Sequence, residues 1–144
     1  MRAEVKIQEN CPEPYAVIYA NEITQEVQRV LNFMRDSSAT IVGKDEDRMY
    51  MLRPEEIFMV NVEGERTFLH TKNKRFSSSK RLYEMKECLG ADFVQISKSS
   101  IVRISACESV EVAFNGMMLL HLKNGGKEYV SRHYLPEFKK SLGL

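Results

Sequence analysis

Hydrophobic positions recur with two different periods along this chain, and the changes of period mark out its elements. Val5 and Ile7 alternate with charged or polar neighbours, the period of two expected of a strand with one buried face. Pro12 and Pro14 break that run because each lacks a backbone donor. Tyr15 to Ala20 is short, apolar and partly β-branched, which predicts a buried strand. The period then becomes helical. Ile23, Val27, Val30, Leu31 and Met34 repeat on one face, Gln25, Glu26, Gln28 and Arg29 take the other, and Thr24 can cap the helix. Asp36-Ser37-Ser38 ends it, and Thr40-Ile41-Val42 begins a further strand. The acidic turn Lys44-Asp45-Glu46-Asp47 leads into Met49-Tyr50-Met51-Leu52, so residues 1–52 are predicted to form a small β-α-β unit.

From about residue 54 the texture becomes short strands and frequent turns. Ile57–Val62 and Thr67–Thr71 flank Glu63-Gly64-Glu65-Arg66, a hairpin signal with glycine for a positive φ. Lys72-Asn73-Lys74-Arg75 is a second turn, followed by Phe76 and three serines. Ser79 can cap a helix from Lys80 to Leu89, closed by Gly90. Phe93–Ile96 and Ile101–Ile104 are strands split by Ser97-Lys98-Ser99-Ser100. Val110, Val112 and Phe114 alternate up to Asn115-Gly116, a strong hairpin signal, and Met117–Leu122 returns. Asn124-Gly125-Gly126 turns into Tyr129-Val130, and Pro136 suits the first turn of a last helix with Phe138 and Leu142 inward. The fold class these elements predict is α+β: the β-α-β unit, then a mainly-β domain over residues 53–144 with short helices.

Composition narrows the function by exclusion. No apolar run approaches the ~20 residues that span a bilayer, and the N-terminus has no signal-peptide core, which predicts a cytoplasmic protein without membrane insertion. Cys11, Cys88 and Cys107 never pair as C-x-x-C, and His70, His121 and His133 lack ligand spacing, so neither a disulfide framework nor a metal site is expected. Gly125-Gly126 has no helix after it to cradle a phosphate, and no serine sits in a G-x-S-x-G elbow. Glu55-Glu56 and Glu63/Glu65 lie beside turns, where solvated charge is the plain reading. These features point away from an enzyme and from any cofactor.

Charge points elsewhere. The net charge of +1 hides an asymmetry: residues 1–50 hold six Lys/Arg against nine Asp/Glu, and residues 51–144 hold fifteen against eleven. Lys72, Lys74, Arg75, Lys80 and Arg81 fall in ten residues without an acid, a run that can neutralise phosphates or simply be a solvated basic surface. Lys98 and Arg103 frame a loop between strands, where hydroxyls and cations can reach into a major groove about 12 Å wide. Ser97 and Ser99 offer hydroxyls to bases or phosphates, and also suit turns in their own right. Arg132 and His133 stand where another strand ends.

Over residues 54–144 the chain resembles the LytTR family of DNA-binding domains. The resemblance rests on Glu56-Ile57-Phe58, the hairpin, and Lys80-Arg81-Leu82-Tyr83-Glu84-Met85 with Leu89 and Phe93. It continues through Ile96–Val102 and closes on Val130-Ser131-Arg132. The family's His-Arg-Ser falls on Ser97-Lys98-Ser99, its Ile-Val-Asn on Ile101-Val102-Arg103, and its closing Ser-Arg on Ser131-Arg132. Ser97 thus stands in place of a base-contacting histidine, and Arg103 in place of an asparagine. The resemblance implies an elongated β domain that inserts loops into successive major grooves of double-stranded DNA. It implies contacts from Ser97, Lys98, Ser99, Arg103, Arg132 and His133, with Lys74 and Arg75 added by the basic run. With too few preceding residues for a receiver domain, the chain looks like the short, stand-alone LytTR regulators of bacteria. That likeness implies control by a small membrane protein. A homodimer on repeated half-sites is expected. The one apolar face of the helix over residues 24–35, in a unit too small for a firm core of its own, predicts that residues 1–52 pack on the DNA-binding domain or dimerise. The serine at 97 keeps a second reading open: a protein-interaction or small-ligand sensor module that retains the fold without binding DNA.

Overall fold

The structure, a computed structural model, describes residues 1–12, 14–36 and 40–144. Helix α1 spans Gln25–Asp36, and the Thr24 hydroxyl accepts the Val27 N–H at 3.3 Å, the cap the sequence anticipates. The expected terminator Ser37-Ser38 lies outside the described residues. A hairpin follows, β1 (Ile41–Asp45) and β2 (Arg48–Leu52), turned at Glu46 with a φ of 54°. Next come β3 (Met59–Glu63), β4 (Arg66–His70) and β5 (Arg75–Ser78), then α2 (Leu82–Leu89). Strands β6 (Phe93–Ser97) and β7 (Ser100–Arg103) complete a seven-stranded sheet in the order β2-β1-β5-β4-β3-β7-β6. Strands β8 (Cys107–Val112), β9 (Met118–Leu122) and β10 (Lys127–Val130) form a second, antiparallel sheet before α3 (Leu135–Ser141). The fold is α+β and mainly β.

Two cores lie on opposite faces of the larger sheet. Val60, Ile101, Leu69 and Phe76 pack with Met85 and Leu89 of α2, while Met59, Val102 and Ile96 pack with Leu120, Leu122 and Val130 of the second sheet and Phe138 of α3. Neighbouring residues of β3 and β7 therefore serve different cores, because side chains of a strand alternate between faces. This is why Met59-Val60 and Ile101-Val102 read as continuous apolar pairs and not as alternation.

Several elements depart from the sequence reading. The strands expected at Val5–Ile7 and Tyr15–Ala20 do not form: both segments have no regular secondary structure, and Tyr15 and Tyr19 are 75% and 94% exposed. An apolar run signals burial but does not name a partner, and the seven strands of the sheet pair with one another without this one. Strand β5, hidden in the run Arg75-Phe76-Ser77-Ser78, pairs with both β4 and β1. Its serines are poor strand formers; what holds it is the buried Phe76 ring, against which only a glycine fits at position 43, where a Cβ would lie 2.8 Å from Phe76 Cβ.

Helix α2 begins at Leu82, two residues later than expected, with Glu84 Oε1 accepting the Arg81 N–H at 3.3 Å. Gly90 ends it with φ 91° and ψ −173°, an extended mirror-image conformation reserved for glycine, in place of a left-handed helical cap. Asn115 and Gly116 both take positive φ (58° and 72°), as the hairpin signal requires. In α3, Phe138 is fully buried, but Leu142 lies at the surface. No helix among the described residues is long and apolar enough to cross a membrane.

Candidate nucleic-acid interface

The β6–β7 hairpin pairs Ser97 with Ser100, which leaves Lys98 and Ser99 as its two-residue turn. Ser97 Oγ accepts the Ser99 N–H at 3.2 Å and lies 3.4 Å from Ser99 Oγ, so the serines brace the turn as well as line it. Gln95 Nε2 donates to the Ser97 carbonyl (3.0 Å), and the Ser99 carbonyl accepts the Val62 N–H (2.8 Å). Lys98 and Ser99 are exposed, Ser97 is half-buried, and Ser100 is inside the sheet. The four polar residues of the sequence segment thus present two side chains fully and one in part.

Ser131 brings the second segment to the first. Its N–H donates to the Ile96 carbonyl at 2.9 Å, and its hydroxyl lies 3.4 Å from the same oxygen. Arg132 and His133 follow in a turn closed by Tyr134 N–H to Ser131 carbonyl (3.0 Å), beside the Ser97–Ser99 turn. Both are exposed, and the His133 ring meets Tyr134 edge-on at 5.0 Å. Arg132 forms no ion pair among the described residues. Its stem instead passes the β8–β9 turn, where a Cβ on Gly116 would lie 3.1 Å from Arg132 Cδ. Phe114 and Tyr129 stack edge-to-face at 6.0 Å beneath that turn.

Three turns therefore gather at one end: Lys98-Ser99, Arg132-His133 and Asn115-Gly116. Sequence reasoning missed Asn115 as a surface donor. The Asn-Gly pair was visible only as turn chemistry, since nothing local shows which other turn it faces.

The other sequence candidates lie elsewhere. Arg103 ends β7, about 10 Å along the strand from Ser100. Its Nε donates to the Ile57 carbonyl (2.8 Å) and a terminal nitrogen to Ser105 Oγ (2.6 Å), with the guanidinium 5.1 Å from the Phe58 ring centre. Lys74 pairs with Asp45 and lies over the Tyr50 and Phe76 rings, fastening the β4–β5 turn to the β1–β2 hairpin. Its ammonium is held above the ordinary lysine range, chiefly by the Asp45 bond. Arg75 pairs with Glu63 at 3.3 Å and stacks 4.2 Å from the Phe68 ring centre. These three cations already have intramolecular partners, whereas Lys98 and Arg132 point outward.

Titration adds little chemistry. His70, 2.6 Å from Asn61 Oδ1, is pushed below its usual value by burial and by Arg75, against an opposing pull from Glu63. Burial raises the Cys107 thiol to about 11. No group of three or more metal-ligating side chains occurs among the described residues.

Turns on a β frame that expose a lysine, an arginine, a histidine and hydroxyls make a surface suited to a polyanion. The family is then unambiguous: the LytTr DNA-binding domain model matches residues 47–143, and the chain belongs to that family. It is similar to an HTH-type transcriptional regulator of Staphylococcus aureus (strain bovine RF122 / ET3-1), 30% identical over 100% of this chain and 99% of the relative. A counterpart in strain MSSA476 is 30% identical over 92% of this chain and 91% of its own length. A solved LytTr DNA-binding domain from Bacillus cereus superposes with a TM-score of 0.70 over 74% of this chain and 99% of that one, at 20% identity, a likeness of fold. The LytTR family is one of DNA-binding domains, not a class of enzyme. The surface in this chain is built from strand turns; the three helices are separated by strands and form no helix-turn-helix pair among the described residues.

Proposed function

We propose that this chain is a cytoplasmic transcription regulator that binds double-stranded DNA sequence-specifically, presenting Lys98-Ser99 and Arg132-His133 to successive major grooves. Ser97 shapes the first turn, and Arg132 reads guanine O6 and N7, for which a planar guanidinium is suited. The observation that carries the reading is the double tie of Ser131 to the Ile96 carbonyl, which fastens the Arg132-His133 turn to the strand leading into Lys98-Ser99 and so mounts both cationic turns on one frame. Arg103, Lys74 and Arg75 serve here mainly as frame residues because each is committed to partners of its own. The protein acts as a homodimer on repeated half-sites, residues 1–52 contribute to packing or dimerisation, and a small membrane protein is its regulator. The relatives' names as transcriptional regulators support the role.

A mobility shift on the DNA upstream of its own gene, repeated across salt concentrations, tests this. Binding should weaken with a slope reflecting several displaced counterions; no shift at low salt refutes it. One feature favours a second reading, the small-ligand sensor: a cleft of about 460 Å³ between α1 and the β domain, lined by Val30, Phe33, Leu89, Phe93 and Ile104. Failure to bind any DNA, with a thermal shift on adding small apolar ligands, would favour that reading.

A further inference from the structure

Among the described residues, Tyr15 to Ala20 is an apolar segment without a strand partner, and the larger sheet ends in a strand, β2, without a further neighbour. The segment has no regular secondary structure and is apolar at every position: Tyr15, Val17 and Tyr19 alternate with Ala16, Ile18 and Ala20, and the first three are well exposed. Pro14 bounds it at one end, where a missing backbone donor stops any ladder. Strand β2 is the terminal strand of the seven, so one side of its backbone is unpaired. Its register with β1 sets Met51 opposite Val42 and Met49 opposite Lys44, which places Val42, Met49 and Met51 on one open face. All three are exposed, Met51 at 78%. The opposite face of β2 carries Tyr50 and Leu52 against the core.

An open edge flanked by exposed apolar side chains is a liability that proteins cover or pair. Charge says what covers this one. Residues 9–22 hold Glu9, Glu13 and Glu22 and no Lys or Arg, whereas Arg48-Met49-Tyr50-Met51-Leu52-Arg53 holds two arginines and no acid. Among the described residues neither Arg48 nor Arg53 forms an ion pair. The Met1 ammonium contacts Glu26 at 3.2 Å, a solvated pair that gives only a weak hold on the segment in its own chain.

We propose that residues 15–20 of each chain add as a strand to the free edge of β2 in a second copy, a reciprocal exchange that forms the dimer. Main-chain bonds supply the pairing, the apolar side chains cover Val42, Met49 and Met51, and the flanking glutamates meet Arg48 and Arg53. An isologous contact of this kind closes as a two-fold pair. It rests on the homodimer named above and gives that dimer its contact.

The test uses the full chain. By light scattering the unaltered protein at micromolar concentration should have the mass of two chains. Val17→Pro, which removes a ladder donor at an exposed site, and Met51→Lys, at the edge itself, should each give the mass of one, with unchanged circular dichroism. In a Cys11→Ser background, mixing a Tyr19→Cys chain with a Met51→Cys chain should yield a disulfide between the two. A single-chain mass for the unaltered protein, or a two-chain mass for both variants, overturns the proposal. Single-chain variants should still shift one DNA half-site while losing tight binding to paired half-sites. If the unaltered chain shifts no half-site at all, the DNA reading fails while the masses still decide the exchange.

Discussion

Arg132→Ala separates recognition from architecture at the centre of the cationic cluster. The side chain is exposed, forms no ion pair among the described residues, and passes its stem over Gly116. Truncating it removes only surface packing, so stability should change by no more than ~0.5 kcal/mol, about 1–2 °C in Tm for a chain of this size. A guanidinium bonding two acceptors of one guanine is worth about 1–3 kcal/mol of discrimination, about 5–150-fold in Kd. The assay is fluorescence anisotropy with a specific and a scrambled duplex at several salt concentrations. The variant should lose affinity for the specific duplex alone, with its salt slope retained, and base preference should relax at one position per half-site. A uniform loss on both duplexes with a slope smaller by about one would make Arg132 a phosphate contact. A sharp drop in Tm with normal binding by the folded fraction would refute the recognition role altogether.

Lys74→Ala with Arg75→Ala should lower Tm, because the β4–β5 turn loses its tie to Asp45 and its stacking on Phe68, yet leave DNA affinity at low salt within about twofold; a tenfold loss with a shallower salt slope would return both residues to the interface. Gly43→Ala places a methyl 2.8 Å from Phe76 Cβ and should cost about 1–3 kcal/mol by chemical denaturation, with a change near zero showing that β5 can shift to make room. His70, depressed below its ordinary 6.5, keeps the folded state neutral at that site while the unfolded chain takes up a proton. Stability from this group is therefore whole above pH 6.5 and lost as pH falls through the lower folded value. Tm measured against pH should show that loss in the wild type and not in His70→Gln. Cys107, held at about 11, should resist iodoacetamide at neutral pH while exposed Cys11 reacts, which peptide mass mapping would read directly.

Local chemistry was legible in the sequence wherever a residue type answers to its own neighbours. Thr24 caps α1, Asn115-Gly116 turns with positive φ at both positions, and Phe138 is buried on the last helix, all as periodicity and turn rules require. The motif Ser97-Lys98-Ser99 … Ser131-Arg132 pointed to the family, and the family model agrees over residues 47–143.

What the chain does at a distance was not legible, since pairing is decided by partners remote in sequence. Strand β5 packs against Gly43, more than thirty residues away, so Phe76 and its serines do not read as a strand from the sequence. Tyr15–Ala20 carries every local mark of a buried strand and is exposed, because among the described residues it pairs with no strand. The eight candidate contact residues look equivalent as letters, yet the fold sorts them. The Ile96 carbonyl draws Ser131, and with it Arg132 and His133, to Ser97, Lys98 and Ser99, while Ile57, Asp45 and Glu63 engage Arg103, Lys74 and Arg75. Residue identity determined which groups could meet an anion. Only tertiary hydrogen bonds and ion pairs, whose partners lie up to 46 residues apart, decided which of the cations are already engaged within the chain.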